Sequence, residues 1–127
     1  MRILVIGGGG REHALVWKLS QSPKVQQIYC IPGNPGIMPL ASCADIPLHD
    51  FAALAAFVRQ HGINLTVVGP EIPLVTGISD YFASQGLLLF GPTRAAAELE
   101  GSKAFCKELL ARYHIPTARY GVFTEPE

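Results

Sequence analysis

The sequence lacks an excess of charge of either sign. Its 127 residues include 10 Lys and Arg and 10 Asp and Glu, so the formal net charge is +0 at pH 7. The basic residues form no stripe, which argues against nucleic acid or an anionic membrane surface as a partner. The hydrophobic fraction is 49%, which is typical of a globular chain with a core.

Long hydrophobic runs are also missing. Apolar runs such as Leu87 to Phe90 are far too short to span a bilayer. The first residues enter a strand pattern directly, without the separate apolar region and cleavage site of a secretory signal. We therefore expect a cytoplasmic protein.

Cysteine is scarce, with widely spaced residues at Cys30, Cys43 and Cys106. Neither CxxC nor HxxxH spacing occurs, so the sequence predicts no metal site. An odd number of isolated cysteines is typical of free thiols in a reducing compartment. We expect all three thiols to be free and buried.

Short apolar segments alternate with helical patterns as far as residue 99. Strands are predicted at 3–6, 27–31, 42–46, 65–68 and 87–90, and helices at 11–21, 51–61, 78–85 and 94–99. Asp50 and Thr93 are placed as N-caps, and Gly62 lies where a C′ glycine belongs. Alternation of this kind indicates right-handed βαβ crossovers. The predicted fold is therefore α/β, with an open, mostly parallel, doubly wound sheet.

Four predicted strands end at glycine or at a glycine–proline pair. The four ends are Gly7, Pro32-Gly33, Gly69-Pro70 and Gly91-Pro92. In a parallel sheet these loops share the carboxyl edge, where open α/β sheets bind their ligands. This convergence predicts a binding site more strongly than any single loop does.

The composition changes near Glu100-Gly101. Ser102 is placed to cap a helix whose apolar stripe reaches Tyr113, and 120–123 has the pattern of an edge strand. Little sheet remains to cover that stripe. We therefore predict two domains, a complete one at 1–100 and the truncated beginning of a second at 101–127.

The first loop has four glycines, Gly7 to Gly10, before Arg11 and the start of a helix. Glycine permits close approach of the backbone, and a helix N-terminus presents free N–H groups, so an anionic or hydroxyl-rich small molecule is the expected ligand. The dinucleotide fingerprint fails at two places: Glu12 replaces its third glycine, and Pro32-Gly33 replaces its ribose-binding acid. No Walker A lysine follows either.

Two glutamates leave alternatives open. Glu12 could accept hydrogen bonds from a sugar or an amine, or could only favour the helix dipole. Residues 69–73 are predicted to form a rigid loop after the strand at 65–68. Glu71 lies between two prolines in this loop, where a charge is more often functional than on an ordinary surface. The patterns alone are compatible with a stand-alone nucleotide- or sugar-phosphate-binding module and, less well, with an NAD-binding domain.

Five motifs in order along the whole chain resemble the phosphoribosylamine–glycine ligase family, within the ATP-grasp superfamily. They are Gly7 to Leu15, Pro32 to Gly36, Val68 to Leu74, Phe90 to Pro92, and Ala96 to Phe105 followed by Ile115 to Ala118. The resemblance implies a Rossmann-like pre-ATP-grasp domain followed by the start of an ATP-grasp domain. Members of the family are several times longer than this chain.

The resemblance also implies an activity. Such a ligase activates glycine with ATP and Mg²⁺ (or Mn²⁺) as an acyl phosphate, because a carboxylate is a poor electrophile. The amine of 5-phosphoribosylamine then attacks, giving glycinamide ribonucleotide, ADP and phosphate in purine biosynthesis. The chain lacks most of the ATP site, so we expect it to be inactive alone and to bind no cofactor tightly.

The site residues implied by the resemblance lie mostly in the strand-end loops. The substrate-binding set is Gly8, Gly9, Gly10, Arg11, Glu12, Asn34, Pro35, Gly36, Glu71 and Pro73. Lys103 is the implied ATP contact, and no catalytic or metal-binding residue is assigned. The implied partners are the small-molecule substrates, without nucleic acid or membrane, and the whole enzyme is expected to be a monomer.

Overall fold

A computed structural model describes residues 1–123 of the chain. It contains five strands and six helices within that range. In chain order they are β1 (Arg2–Gly7), α1 (Gly10–Ser20), β2 (Gln27–Pro32), β3 (Ser42–Cys43), α2 (Phe51–Gln60), β4 (Leu65–Val68), α3 (Glu71–Val75), α4 (Ile78–Ser84), β5 (Leu89–Phe90), α5 (Arg94–Gly101) and α6 (Lys103–Arg112). No helix of the described range is long and apolar enough to cross a membrane.

The strands form one sheet in the order β3-β2-β1-β4-β5, and every pair is parallel. β1 lies at the centre, and Ile3 to Ile6 are all buried because helices cover both faces of the sheet. Ile3 and Val5 pack with Val16 of α1, whereas Leu4 and Ile6 pack with the cluster that contains Phe82 of α4. The predicted doubly wound α/β fold is confirmed.

Helix boundaries follow local capping. The Asp50 side chain accepts a hydrogen bond from Ala53 N at 2.9 Å at the start of α2, and Gly62 follows its end with φ +59°. Thr93 and Ser102 cap α5 and α6 through their hydroxyl groups. The predicted caps are therefore confirmed.

Two predictions about secondary structure are wrong. Residues 71–73 were expected in a loop, yet they form the first turn of α3. Pro73 is tolerated there because the N–H groups of a first helical turn have no partner within the helix. The predicted edge strand at 120–123 is absent, because this exposed segment pairs with no strand of the sheet. Its described contact is with α6, where the Lys107 ammonium lies 5.7 Å from the Tyr120 ring centre.

Two strands are shorter than expected. β3 is restricted to Ser42–Cys43, since it pairs with β2 at only two positions, and β5 is restricted to Leu89–Phe90. The cysteine prediction is half right: all three thiols are free, but only Cys30 is buried, while Cys43 and Cys106 are partly exposed. The apolar stripe of α6 also contains no buried residue.

The sheet order brings the predicted loops to one edge. Gly7 pairs with Pro32, Ile6 pairs with Val68, and Val67 pairs with Phe90. The loops that follow β1, β2, β4 and β5 therefore leave the sheet side by side. The direction of strand addition reverses between β1 and β4, and this is where open α/β sheets form their binding crevice.

Candidate functional site at the carboxyl edge of the sheet

Glu12 lies at the junction of the loops that follow β1 and β4. Its side chain is only 5% exposed, and Oε2 accepts a hydrogen bond of 2.7 Å from Gly9 N. A Cβ built on Gly7 would lie 2.5 Å from Glu12 Cγ, and one built on Gly69 would lie 2.6 Å from Glu12 Cδ. The glycines of these loops therefore make room for a glutamate.

Gly7 has a second reason to be glycine. Its φ is +123°, a conformation that L side chains rarely adopt. Gly69 has no such requirement, and its need for glycine is steric. Sequence reasoning did not assign Gly69 to the site, although its place at a strand end was the available signal.

Arg11 joins the same two loops from the outside. Its Nη1 donates a hydrogen bond of 2.7 Å to Gly69 O, and the side chain is exposed. A guanidinium group has five N–H donors, so this contact leaves others for a ligand. Arg11 is thus oriented at the switch point while remaining accessible.

Asn34 connects the loop after β2 to the loop after β1. Its Nδ2 donates to Gly8 O at 2.9 Å, and its Oδ1 accepts from Gly36 N at 2.8 Å and from Ile37 N at 3.0 Å. The two loops approach closely, because a Cβ on Gly8 would lie 2.5 Å from Gly33 O. Asn34 therefore shapes both loops.

The remaining residues of the second loop lie at its surface. Pro35 and Gly36 are exposed, and a Cβ on Gly36 would lie 2.7 Å from Cε1 of His13. His13 is partly buried, so its imidazole packs against this loop.

Glu71 and Pro73 come from α3, two and four residues beyond Gly69. Glu71 is exposed at the first position of the helix, whereas Pro73 is buried. Pro73 also lines an apolar cavity of about 290 Å³ together with Leu48, Pro70 and Ile72. Glu71 lies in the first turn of α3, a position that the helix dipole favours for an acidic side chain.

Lys103 belongs to a different surface. It begins α6 and lines a cavity of about 390 Å³ with Lys107, Tyr120 and Phe123. Within the described range, no hydrogen bond connects it to the strand-end loops. The structure thus brings together the predicted site residues of the loops after β1 and β2. Glu71 and Pro73 follow Gly69 closely in the chain, whereas Lys103 lies on a separate surface.

Metal-ligating side chains are not grouped in residues 1–123. Nowhere in that range do three or more His, Cys, Asp or Glu side chains come together in a way that could hold a metal ion. The start of α1 with Arg11, and the loop after β4 that leads to Glu71, are suited to a small ligand with an anionic group and hydroxyl or amine groups.

Comparisons with known proteins agree with this arrangement. The model of the family described as phosphoribosylglycinamide synthetase, N domain, matches residues 1–100. The phosphoribosylamine–glycine ligase of Brucella melitensis is 56% identical over 123 residues, covering 97% of this chain and 29% of the relative. That of Yersinia pestis is 56% identical over 129 residues, covering 100% and 30%.

Solved structures show the same fold. The crystal structure of phosphoribosylamine–glycine ligase from Thermotoga maritima aligns with a TM-score of 0.63 and 26% identity, over 94% of this chain and 26% of the other. N5-carboxyaminoimidazole ribonucleotide synthetase from Thermotoga maritima aligns with a TM-score of 0.70 and 18% identity, over 98% and 34%.

The chain spans about 30% of the length of the curated relatives it matches. The shared part begins at the strand and glycine loop described above and includes the junction of loops around Glu12. The chain belongs to the phosphoribosylglycinamide synthetase family, and its residues 1–100 match the N domain of that family.

Proposed function

We propose that this chain is the ribosyl-substrate-binding part of a phosphoribosylamine–glycine ligase. The whole enzyme would join glycine to 5-phosphoribosylamine at the expense of ATP, giving glycinamide ribonucleotide, ADP and phosphate in purine biosynthesis. Residues 1–100 would form the substrate-binding domain. Residues 101–127, of which 124–127 lie outside the described range, would begin the ATP-grasp domain.

The observation that carries this proposal is the junction of loops at the β1–β4 switch point. Glu12 lies against Gly69 and Arg11 donates a hydrogen bond to Gly69 O, so both contact the loop after β4. Arg11 and Glu71, which lies two residues beyond Gly69, are exposed. A guanidinium group suits a phosphate, and a carboxylate suits an amine or a ribose hydroxyl. Together these groups match a phosphorylated amino sugar.

Each predicted residue has a role in this proposal. The backbone of Gly8, Gly9 and Gly10 would approach the ligand closely, and the Asn34 to Gly36 loop would form the neighbouring wall. The observed contacts of Glu12 are with the loops, so its direct contact with substrate stays a prediction. Pro73 would fix the geometry of α3 below Glu71.

ATP chemistry belongs to the whole enzyme in this proposal. Phosphoryl transfer needs positioned phosphates and metal ions, which supply electrostatic stabilisation when bound. The described residues do not gather the ligands for Mg²⁺ or Mn²⁺, so we assign no step through a metal to this chain. Lys103 would contribute one cationic contact to ATP, and the whole enzyme would be a cytoplasmic monomer.

A thermal-shift comparison tests the proposal. The chain is heated with glycinamide ribonucleotide, with ribose 5-phosphate and with NAD, because a ligand that binds only the folded state raises the unfolding midpoint. We expect glycinamide ribonucleotide to give the largest shift. Stabilisation by NAD alone would indicate a dinucleotide domain, and equal shifts with the two sugar phosphates would indicate a general sugar-phosphate module.

A further inference from the structure

Two of the three cysteines lie side by side in the sheet. Cys30 of β2 and Cys43 of β3 are partners in the parallel register, and both thiols are free. Both pack in the apolar cluster on the α1 side of the sheet, so their side chains share one face. Cys106, on α6, belongs to neither strand.

These two thiols also lie directly beneath the strand-end loops. A Cβ built on Gly33 would lie 2.5 Å from Cys43 Sγ and 3.6 Å from Cys30 Cβ. The thiol of Cys30 donates to Gly7 O at 3.3 Å, and Gly33 N donates to the same oxygen at 3.2 Å. The state of the two sulfur atoms is therefore linked to the backbone of both loops.

The strand geometry is compatible with a bond between the sulfur atoms. Neighbouring strands lie roughly 4.8 Å apart, and disulfides join α-carbons separated by about 4.4–6.8 Å. β3 is an edge strand with two paired residues, so it can adjust more easily than a central strand. Side chains on one face meet the second requirement, that the Cβ atoms do not point apart.

We propose that Cys30 and Cys43 form a dithiol oxidation site, which closes to an intrachain disulfide on reaction with a low-molecular-weight disulfide such as oxidised glutathione. The partly exposed Cys43 reacts first. Its thiolate attacks one glutathione sulfur, the glutathione S–S bond breaks, and the departing glutathione thiolate takes up a proton.

The second step closes the bridge. Cys30 loses its proton to solvent and attacks the sulfur of Cys43, releasing the second glutathione as a thiol. The two cysteines are oxidised by two electrons, and one glutathione disulfide is reduced to two glutathione molecules. Burial, and then the neighbouring Cys43, raise the pKa of Cys30 to about 12, so closure should be slow and should accelerate with pH.

Oxidation changes the contacts that the two sulfur atoms make with the loops after β1 and β2. The Cys30 sulfur no longer carries a hydrogen to donate to Gly7 O. Of the two donors described above, Gly7 O then keeps the N–H of Gly33. The Cys43 sulfur is also drawn from its place against Gly33 toward Cys30. We therefore expect the bond to alter the loops after β1 and β2, and a thiol reductant to restore them.

Mass spectrometry tests the bond. Reduced chain is incubated with oxidised glutathione at mildly alkaline pH and then cleaved with cyanogen bromide. Met38 lies between the two cysteines, so the bridged fragments stay together until they are reduced. We expect intact chain that is lighter by two hydrogen atoms, both in the wild type and in the Cys106→Ser control.

Two variants make the result decisive. Cys43→Ser should take up no glutathione at this site, and Cys30→Ala should stop at a glutathione adduct on Cys43. The proposal is overturned if wild-type chain also stops at that adduct, or if the bridge contains Cys106. Neither result depends on the proposed ligand, so the failure of this proposal and that of the proposed function are distinguishable.

Amide resonances test the effect on the loops. We expect the ¹⁵N-¹H signals of Gly8 and Gly33 to move on oxidation of the Cys106→Ser variant and to return after reduction. Signals of α2, on the opposite face of the sheet, provide the internal reference. A bridged chain with unchanged Gly8 and Gly33 signals would contradict the link between the thiols and the loops.

Discussion

The carboxylate of Glu12 occupies the space that a side chain at Gly69 would need. The two residues are 57 positions apart in the sequence, and the pairing of β1 with β4 brings them together. Gly69 has no positive φ, and the three atoms nearest to a Cβ built on it all belong to Glu12, so its requirement for glycine is steric and set first by Glu12. This relationship can be tested by a double-mutant cycle.

Gly69→Ala should lower the free energy of unfolding by about 1–3 kcal/mol, the usual cost of overpacking. Glu12→Ala should cost about 0.5–2 kcal/mol, because Gly9 N loses its capping partner. In the Glu12→Ala background the added cost of Gly69→Ala should fall by about 1 kcal/mol or more. Denaturant unfolding of the four proteins measures the coupling.

Gly7→Ala is the matched control for that cycle. Gly7 also contacts Glu12, but its φ of +123° strains any other residue. Removal of the Glu12 side chain should therefore rescue Gly7→Ala only in part. Equal costs of Gly69→Ala with and without Glu12 would show that the steric relationship is wrong.

Thr66→Val should stabilise the protein. The Thr66 side chain is fully buried in β4, and its hydroxyl has no hydrogen-bond partner among the described residues. Removing an unsatisfied buried hydroxyl should raise the free energy of unfolding by about 1 kcal/mol. Thr93→Val is the control with the opposite sign, since the Thr93 hydroxyl caps α5. A loss of stability in Thr66→Val would contradict this assignment.

Arg11→Ala should weaken binding of glycinamide ribonucleotide by about 1.5–3 kcal/mol, the range for a charged hydrogen bond. Arg59→Ala is a close control, because Arg59 is also exposed and donates to a backbone oxygen, that of Gln85, away from the loops. Both changes should affect stability by only about 0.5 kcal/mol. Calorimetric titration compares the affinities, and equal losses in both variants would remove Arg11 from the site.

Glu71→Gln should weaken the same ligand by about 1–3 kcal/mol, since a carboxylate is replaced where an amine or a hydroxyl would bind. Glu108→Gln, exposed on α6, should bind as the wild type does. Glu12→Gln is measured beside them, because a comparable loss of affinity at unchanged stability would support its predicted contact with substrate. Unchanged affinity in Glu71→Gln would leave Glu71 as a helix-terminal residue only.

Alkaline pH should destabilise the folded chain through Cys30. Because burial raises the pKa of Cys30 from 9.0 to about 12, the unfolded state loses this proton more readily than the folded state does. The contribution of Cys30 to the free energy of unfolding is constant below pH 9. It falls between pH 9 and 12 by at most about 1.4 kcal/mol per pH unit. Cys30→Ala should show a shallower decline than Cys106→Ala, as measured by denaturant unfolding under reducing conditions.

The order of the elements could be predicted because each depends on local chemistry. The continuous apolar run Ile3 to Ile6 indicated a strand buried on both faces, and Asp50 with Gly62 delimited α2. Boundaries that depend on neighbours were predicted less well. β3 is short because its pairing with β2 ends after two residues, and 120–123 forms no strand because it pairs with no strand of the sheet.

The same distinction between local and long-range features applies to the candidate site. The sequence by itself determined that four glycine-bearing strand ends meet at one edge, since parallel strands have no other arrangement, and that Glu12 stands where a dinucleotide site has glycine. Only the tertiary structure decided what that glutamate contacts. Its place between Gly7, Gly9 and Gly69 depends on the register of β1 against β4, which is a long-range property. The pairing of Cys30 with Cys43 was decided in the same way, because strand register sets which distant side chains share a face.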